Sequence, residues 1–161
     1  MKETTLNFKV GQVNEVVAKM QESQSVVFLN CIGLTVEASM KLRQELHASG
    51  CTLKVVKNNI LRRAAQACGY EGLDDVFVGP NAVAFAKDTN SASKIIFNFA
   101  KKNPTLVMKA GVVEGKVLNA EEVKAVATLP DKNGMISMLL SVLQAPIRNF
   151  AYAVKAVGEG K

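Results

Sequence analysis

Residues 135–157 read MISMLLSVLQAPIRNFAYAVKAV. Sixteen of these 23 residues are apolar, none is acidic, and Arg148 and Lys155 carry the only charges. Ile136, Leu140, Leu143, Ile147, Phe150, Val154 and Val157 are spaced 4, 3, 4, 3, 4, 3, the seam of a helix with a seven-residue repeat. Met135, Leu139, Val142, Ala153 and Ala156 widen the apolar surface beyond one stripe. A helix this apolar cannot rest in water as an ordinary surface element. It completes its own domain's core, spans a membrane, or lays its apolar face on another protein. Gln144, Pro146, Arg148 and Asn149 count against a span, because each places a costly polar or backbone group mid-segment. Pro146 also removes one helical N–H and crowds the carbonyl of Val142, which predicts a bend there. The bend divides the tail into two units, Met135–Ala145 and Ile147–Val157, and two units suggest two docking events.

Immediately upstream, Leu-Pro-Asp-Lys-Asn-Gly (129–134) has turn composition, and the chain before it, from the start to about Pro130, alternates between helical and strand periods. Val10, Val13, Val17 and Met20 predict an opening amphipathic helix, and Ser25–Cys31 (SVVFLNC) a strand. Thr35 is the expected N-cap of a helix with Ala38, Leu42 and Leu46 inward and Gly50 as its left-handed stop. Thr52–Lys57 reads as the next strand, with Asn58 capping a helix that buries Leu61, Ala64, Ala65 and Cys68. Val76–Val78 and Ala82–Ala86 are further strand candidates, and Asp88–Asn103 is helical, with Ile95, Ile96 and Phe99 inward. Leu106–Val113 and Lys116–Leu118 predict a hairpin turning at Glu114-Gly115. Asn119 and Glu122 form a capping-box-like pair opening a short helix. The expected fold class is α/β: a globular domain with a mixed sheet packed by helices, followed by a protruding C-terminal helix. Its expected parts are a domain over 1–130, a hinge at 131–134 and a helix over 135–161.

The whole chain has 161 residues, 48% of them hydrophobic and 21% charged, which excludes disorder for most of its length. A net charge of +6 favours an anionic partner. With no Trp and 6% aromatics, a row of stacking platforms for single-stranded bases is excluded. Cys31, Cys51 and Cys68 are odd in number and widely spaced, and His47 is the sole imidazole, so a structural zinc site lacks ligands and no metal or other cofactor is expected. The N-terminus shows no secretory signal, which points to the cytoplasm.

No catalytic constellation emerges, and no enzyme activity is expected. Gly111-Val-Val-Glu-Gly115-Lys116-Val117 resembles a phosphate loop but lacks one spacer, has Val117 where a magnesium-binding hydroxyl belongs, and leads into a hairpin instead of a helix. His47 falls on the polar side of a helix without a nucleophile nearby. Asp74-Asp75 and Glu121-Glu122 fall at expected helix starts, where the helix dipole explains them. The alternative class, a small α/β enzyme with a self-packing tail, would need a pocket of convergent polar groups.

Cations concentrate elsewhere. Between residues 41 and 63 lie Lys41, Arg43, Lys54, Lys57, Arg62 and Arg63, opposed only by Glu45, so this segment holds +5 of the molecular +6. It spans helix, strand and helix, which folding could gather at one end of the sheet. Guanidinium groups beside a helix start suit phosphate oxygens, with a merely solvated charged face as the alternative.

Ordered along the chain are Gly33-Leu-Thr-Val36, Leu42-Arg43 with Leu46 and Gly50, Val55-Val56-Lys57-Asn58, and Arg62-Arg63-Ala64. Phe77-Val-Gly-Pro80 with Ala84-Phe85, Glu114-Gly115, Leu129-Pro130 and Leu143-Gln-Ala-Pro-Ile-Arg148 follow. This ordered set resembles the bacterial stalk-base family of the large ribosomal subunit, the tenth in its naming series. The resemblance implies an α/β domain that binds large-subunit rRNA and a C-terminal helix that carries dimers of the acidic stalk protein, thereby supporting recruitment of translational GTPases. It further implies a ribosomal, cytoplasmic location, the eleventh large-subunit protein as a neighbour, and autogenous repression of translation as an additional activity. By the same resemblance Gly33, Thr35, Arg43, Lys57, Asn58, Arg62 and Arg63 are RNA-binding, and charge and strand position add Lys54. On the tail, Ile136, Leu139, Leu140, Leu143, Ile147, Phe150, Val154 and Val157 are the expected partner contacts. Cys31 and Ile32 stand where the family commonly has an aromatic and a basic residue, His47 replaces a usual arginine, and Asn59 a usual threonine.

Overall fold

The computed structural model describes residues 3–70, 72–73, 75–130 and 132–159. They form two compact units, 1–128 and 129–161. The first contains α1 (Glu3–Glu22), β1 (Ser25–Asn30), α2 (Val36–Ala48), β2 (Thr52–Val55), α3 (Asn58–Cys68), β3 (Ala82–Ala86), α4 (Ser91–Lys102), β4 (Val107–Val113), β5 (Lys116–Asn119) and α5 (Ala120–Thr128).

The five strands make one sheet in the order β2-β3-β1-β4-β5. Every pairing is antiparallel, whereas the sequence predicts a mixed sheet. The α2 crossover does return β2 in the direction of β1. However, β3 inserts between them and pairs with both, placing Ala82 opposite Leu29 on one side and Val55 on the other.

Apolar side chains alternate between two cores. Val27 and Leu29 of β1 point into a layer with Leu42, Leu46, Ile96, Phe99 and Val123, contributed by α2, α4 and α5. Val26 and Phe28 point the other way, onto Val16 and Met20 of α1, Leu61 and Ala64 of α3, and Phe77. A strand covered on both faces needs a continuous apolar run, which is why β1 reads VVFL. On β3 the residues facing the first layer are alanines (82, 84 and 86), leaving space for the larger side chains of α2 and α4.

Local rules account for many boundaries. Thr35 caps α2, its Oγ1 accepting from the Ala38 N–H at 3.2 Å. The β4–β5 hairpin turns through Glu114 (φ 50°) and Gly115 (φ 80°), the two positive φ values of a type I′ turn. The Asn119 N–H donates to Glu122 Oε2 at 2.8 Å, the backward half of a capping box.

Four local expectations need correction. Val76–Val78 is turn and bend, because its buried side chain, Phe77, packs edge to face on Phe28 in the α1–α3 core instead of alternating across a sheet. On α1 the buried residues are Val16 and Met20, with Val13 and Val17 half-buried and Val10 exposed. Asn58 is the first helical residue of α3 and Lys57 its cap, without a side-chain capping bond. Asp75 lies in a turn and does not start a helix, and its neighbour Asp74 is outside the described residues.

The second unit holds α6 (Lys132–Glu159), which continues through Pro146 as one helix. Residues 132–134, expected in a hinge, are therefore helical, and Asp131 lies outside the described residues. Of the 21 exposed large apolar side chains described, twelve belong to α6. No helix among the described residues is long and apolar enough to cross a membrane.

Candidate functional site

Strand register gathers the basic segment. The C-terminal ends of β1 and β2 and the start of β3 meet at one end of the sheet, because Leu29 and Val55 both pair with Ala82. Three loops leave from that end: 31–35 into α2, 56–57 into α3, and the turn 78–81 into β3. Gly33 takes φ 83° in the first loop, a conformation costly for any residue with a Cβ. Thr35 is engaged by its capping bond but keeps its hydroxyl proton to donate. Arg43 is exposed on α2 near Cys31, where its charge opposes the upward push that burial gives the thiol. Cys51 and Cys68 are raised by burial too, so none of the three is poised as a thiolate.

Lys57 and Asn58 stand at the start of α3, and Arg62 and Arg63 follow about one turn further along it. Lys57 and Arg63 are exposed. Arg62 is half-buried and lines a cleft with Tyr70, Leu73 and Phe77. Asn58 is structurally engaged: its Nδ2 donates to the Gly79 carbonyl at 2.6 Å and its Oδ1 accepts from Asn81 Nδ2 at 3.0 Å. An open cleft of about 330 Å³ lies there, between Val55–Asn59 and Pro80–Asn81.

Lys41 and Lys54 are both paired within the chain, Lys41 with Glu37 one turn back on α2 and Lys54 with Glu15 of α1. Lys19 also approaches Glu15 at 3.4 Å, and Lys54 holds the Glu15 carboxyl below the ordinary range. An ion pair made 39 residues away in sequence engages this lysine, so it offers less to an external phosphate than Lys57 does.

Two polar residues at this end were not foreseen. Lys109 donates to the Val78 carbonyl at 2.6 Å and to Asn81 Oδ1 at 2.7 Å, and Asn81 is buried. A lone ammonium inside VMKAGVV was the available signal, since lysine rarely enters an otherwise apolar strand. The loop-like Gly111–Val117 stretch is hairpin, and His47 is exposed in the last turn of α2. Among the described residues no cluster of His, Cys, Asp or Glu could hold a metal.

On α6 the eight expected partner-contact residues are all exposed, by 48–76%. Arg148 Nη2 reaches Gln144 Oε1 at 3.4 Å, one turn back.

Comparison with known proteins agrees in extent. The family model described as ribosomal protein L10 matches residues 4–101, and that of the ribosomal protein uL10 C-terminal region matches residues 129–161. The large ribosomal subunit protein uL10 of Macrococcus caseolyticus (strain JCSC5402) is 48% identical over 160 residues, covering 99% of this chain and 93% of that protein. The chain thus belongs to the ribosomal protein L10 family, non-enzymatic structural constituents of the large ribosomal subunit in the bacterial cytoplasm.

Proposed function

We propose that the 1–128 unit anchors the chain to large-subunit rRNA through the loop end of its sheet, and that α6 carries two dimers of an acidic stalk protein. The carrying observation is the apolar surface of α6. Twelve large side chains stay exposed on one helix, far more than a solvated helix tolerates. Between residues 132 and 158 its formal charges are Lys132, Arg148 and Lys155, all cationic, which complements an acidic partner. Two docking segments flank Pro146, whose missing N–H cannot donate to the Val142 carbonyl. Translational GTPases are then recruited indirectly by the bound dimers, and the eleventh large-subunit protein is a neighbour on the rRNA. Autogenous repression would use the same RNA surface.

RNA anchoring rests on Gly33, Thr35, Arg43, Lys57, Asn58, Arg62 and Arg63 around the three loops, with Lys54 in a lesser role because of Glu15. Phosphate contacts release counterions, so affinity falls with salt in proportion to their number. Replacing Arg62 and Arg63 together by alanine should weaken binding to large-subunit rRNA. The slope of log K against log salt should flatten by roughly 0.7–0.9 per lost contact. Filter binding over a salt series measures this, and an unchanged slope removes both arginines from the contact set.

A further inference from the structure

The β1–β4 pairing contains an irregularity with a specific product. Phe28 pairs with Ala110 but Leu29 pairs with Met108, so Lys109 is an extra residue bulged out of the ladder. The bulge exchanges faces: Ala110 and Val112 belong to the α1–α3 core, whereas Met108 belongs to the opposite one. A bulge re-aims the side chain it carries. Here the ammonium is sent to the turn before β3, onto the Val78 carbonyl at 2.6 Å, Asn81 Oδ1 at 2.7 Å and the Val76 carbonyl at 3.5 Å.

These bonds continue as a chain with one direction. Lys109 can only donate, so it takes the oxygen of Asn81. The nitrogen of Asn81 must then donate, and it meets Asn58 Oδ1 at 3.0 Å. Asn58 Nδ2 in turn donates to the Gly79 carbonyl at 2.6 Å, an acceptor only. Reversing either amide would set donor against donor, so each member specifies the orientation of the next. The chain fastens β4, the 78–81 turn and the first residue of α3 together.

We infer that Lys109, delivered by this bulge, is the positioning residue of the rRNA-binding surface: through Asn81 and Asn58 it holds the turn and the α3 start in their binding geometry. The inference rests on the rRNA-binding reading above. Lys109 itself touches no phosphate in this arrangement, because its donors are taken by three protein oxygens. Its role is to order the loop before RNA arrives, which lowers the cost of binding.

The test uses the full chain and transcribed large-subunit rRNA. Lys109→Met keeps the aliphatic stem but cuts the chain of bonds. It should weaken binding roughly tenfold with an unchanged salt slope, and Lys109→Arg should recover most of the loss. Lys57→Met, by contrast, should lose affinity and flatten the slope. Without RNA, Lys109→Met should accelerate amide exchange at Val76 and Phe77, whose N–H groups are bonded to the Leu73 carbonyl at the entry to the turn. Wild-type affinity in Lys109→Met overturns the inference, as does a slope lowered as in Lys57→Met, or unchanged exchange at the turn. If Lys109→Met does not fold, Asn81→Ser is measured instead, and full affinity in the folded Asn81 variant overturns it equally. A wild-type chain that fails to bind the rRNA withdraws the parent reading and this inference with it, a result separable from loss confined to the variants.

Discussion

Aspartate at both Leu140 and Leu143 is expected to remove one acidic dimer from α6, with no change in the melting temperature of the 1–128 unit. Both leucines are more than half exposed, so the free chain loses little burial when they are replaced. In the complex each would be covered, and burying a leucine contributes about 1.5–3 kcal/mol. Losing two such contacts costs roughly 3–6 kcal/mol, or about 10²- to 10⁴-fold in affinity, before the cost of desolvating two new carboxylates is added. An acidic partner repels those carboxylates as well, so the change acts through lost attraction and new repulsion. The equivalent pair beyond Pro146 is Ile147 and Phe150, also exposed. Native mass spectrometry of the chain with the acidic stalk protein reads the result directly. Wild type should carry two dimers, either double variant one, and the fourfold variant none. One or three dimers on the wild type would refute the stoichiometry, and two on the Leu140/Leu143 variant would remove that seam from the docking surface.

The second large effect is on stability. Phe28→Ala should cost the 1–128 unit roughly 3–5 kcal/mol, since the buried ring leaves a cavity that its neighbours only partly fill. Phe28 is fully buried on β1, the strand paired on both sides at the middle of the sheet. Its ring meets Phe77 edge to face at 5.2 Å between centroids, adding about 0.5–1.5 kcal/mol beyond area burial. Domains of this size are stable by roughly 5–15 kcal/mol, so the variant loses about a fifth or more of the total. Chemical denaturation should show a lower midpoint at an unchanged slope, and an unmoved midpoint would contradict the packing described. The consequence reaches the RNA surface, because Phe77 directly precedes the turn that Lys109 and Asn58 fasten.

Local structure follows from the sequence where one short-range rule governs it. The β4–β5 hairpin follows from Glu114-Gly115 because only positive φ at both positions closes a two-residue turn with the twist of the strands. Thr35 caps α2 because its hydroxyl reaches an N–H three residues on. Asn58 shows the limit. Its type and place suit a cap equally well, but a carbonyl 21 residues away and the amide of Asn81 are stronger claims on its side chain. The buried face of α1 differs from the one its spacing predicts for a related reason. Valines at 10, 13, 16 and 17 offer two overlapping stripes, and only packing against α3 selects Val16.

Order along the chain determined the α/β class, the positions of most helices and strands, the cationic stretch from 41 to 63 and the unsatisfied apolar helix at the end. Each depends on periodicity, turn chemistry or charge within about 20 residues, and no distant contact can alter those patterns. Tertiary structure alone decided that β3 would lie between β1 and β2, making the sheet antiparallel throughout. It also decided which cations remain for a partner. Lys54 is taken by Glu15, and Lys109 is turned inward by a bulge onto a loop some thirty residues earlier in the chain. A charge's availability is set by whatever else reaches it first, and that is a property of spatial neighbours, which periodicity does not encode.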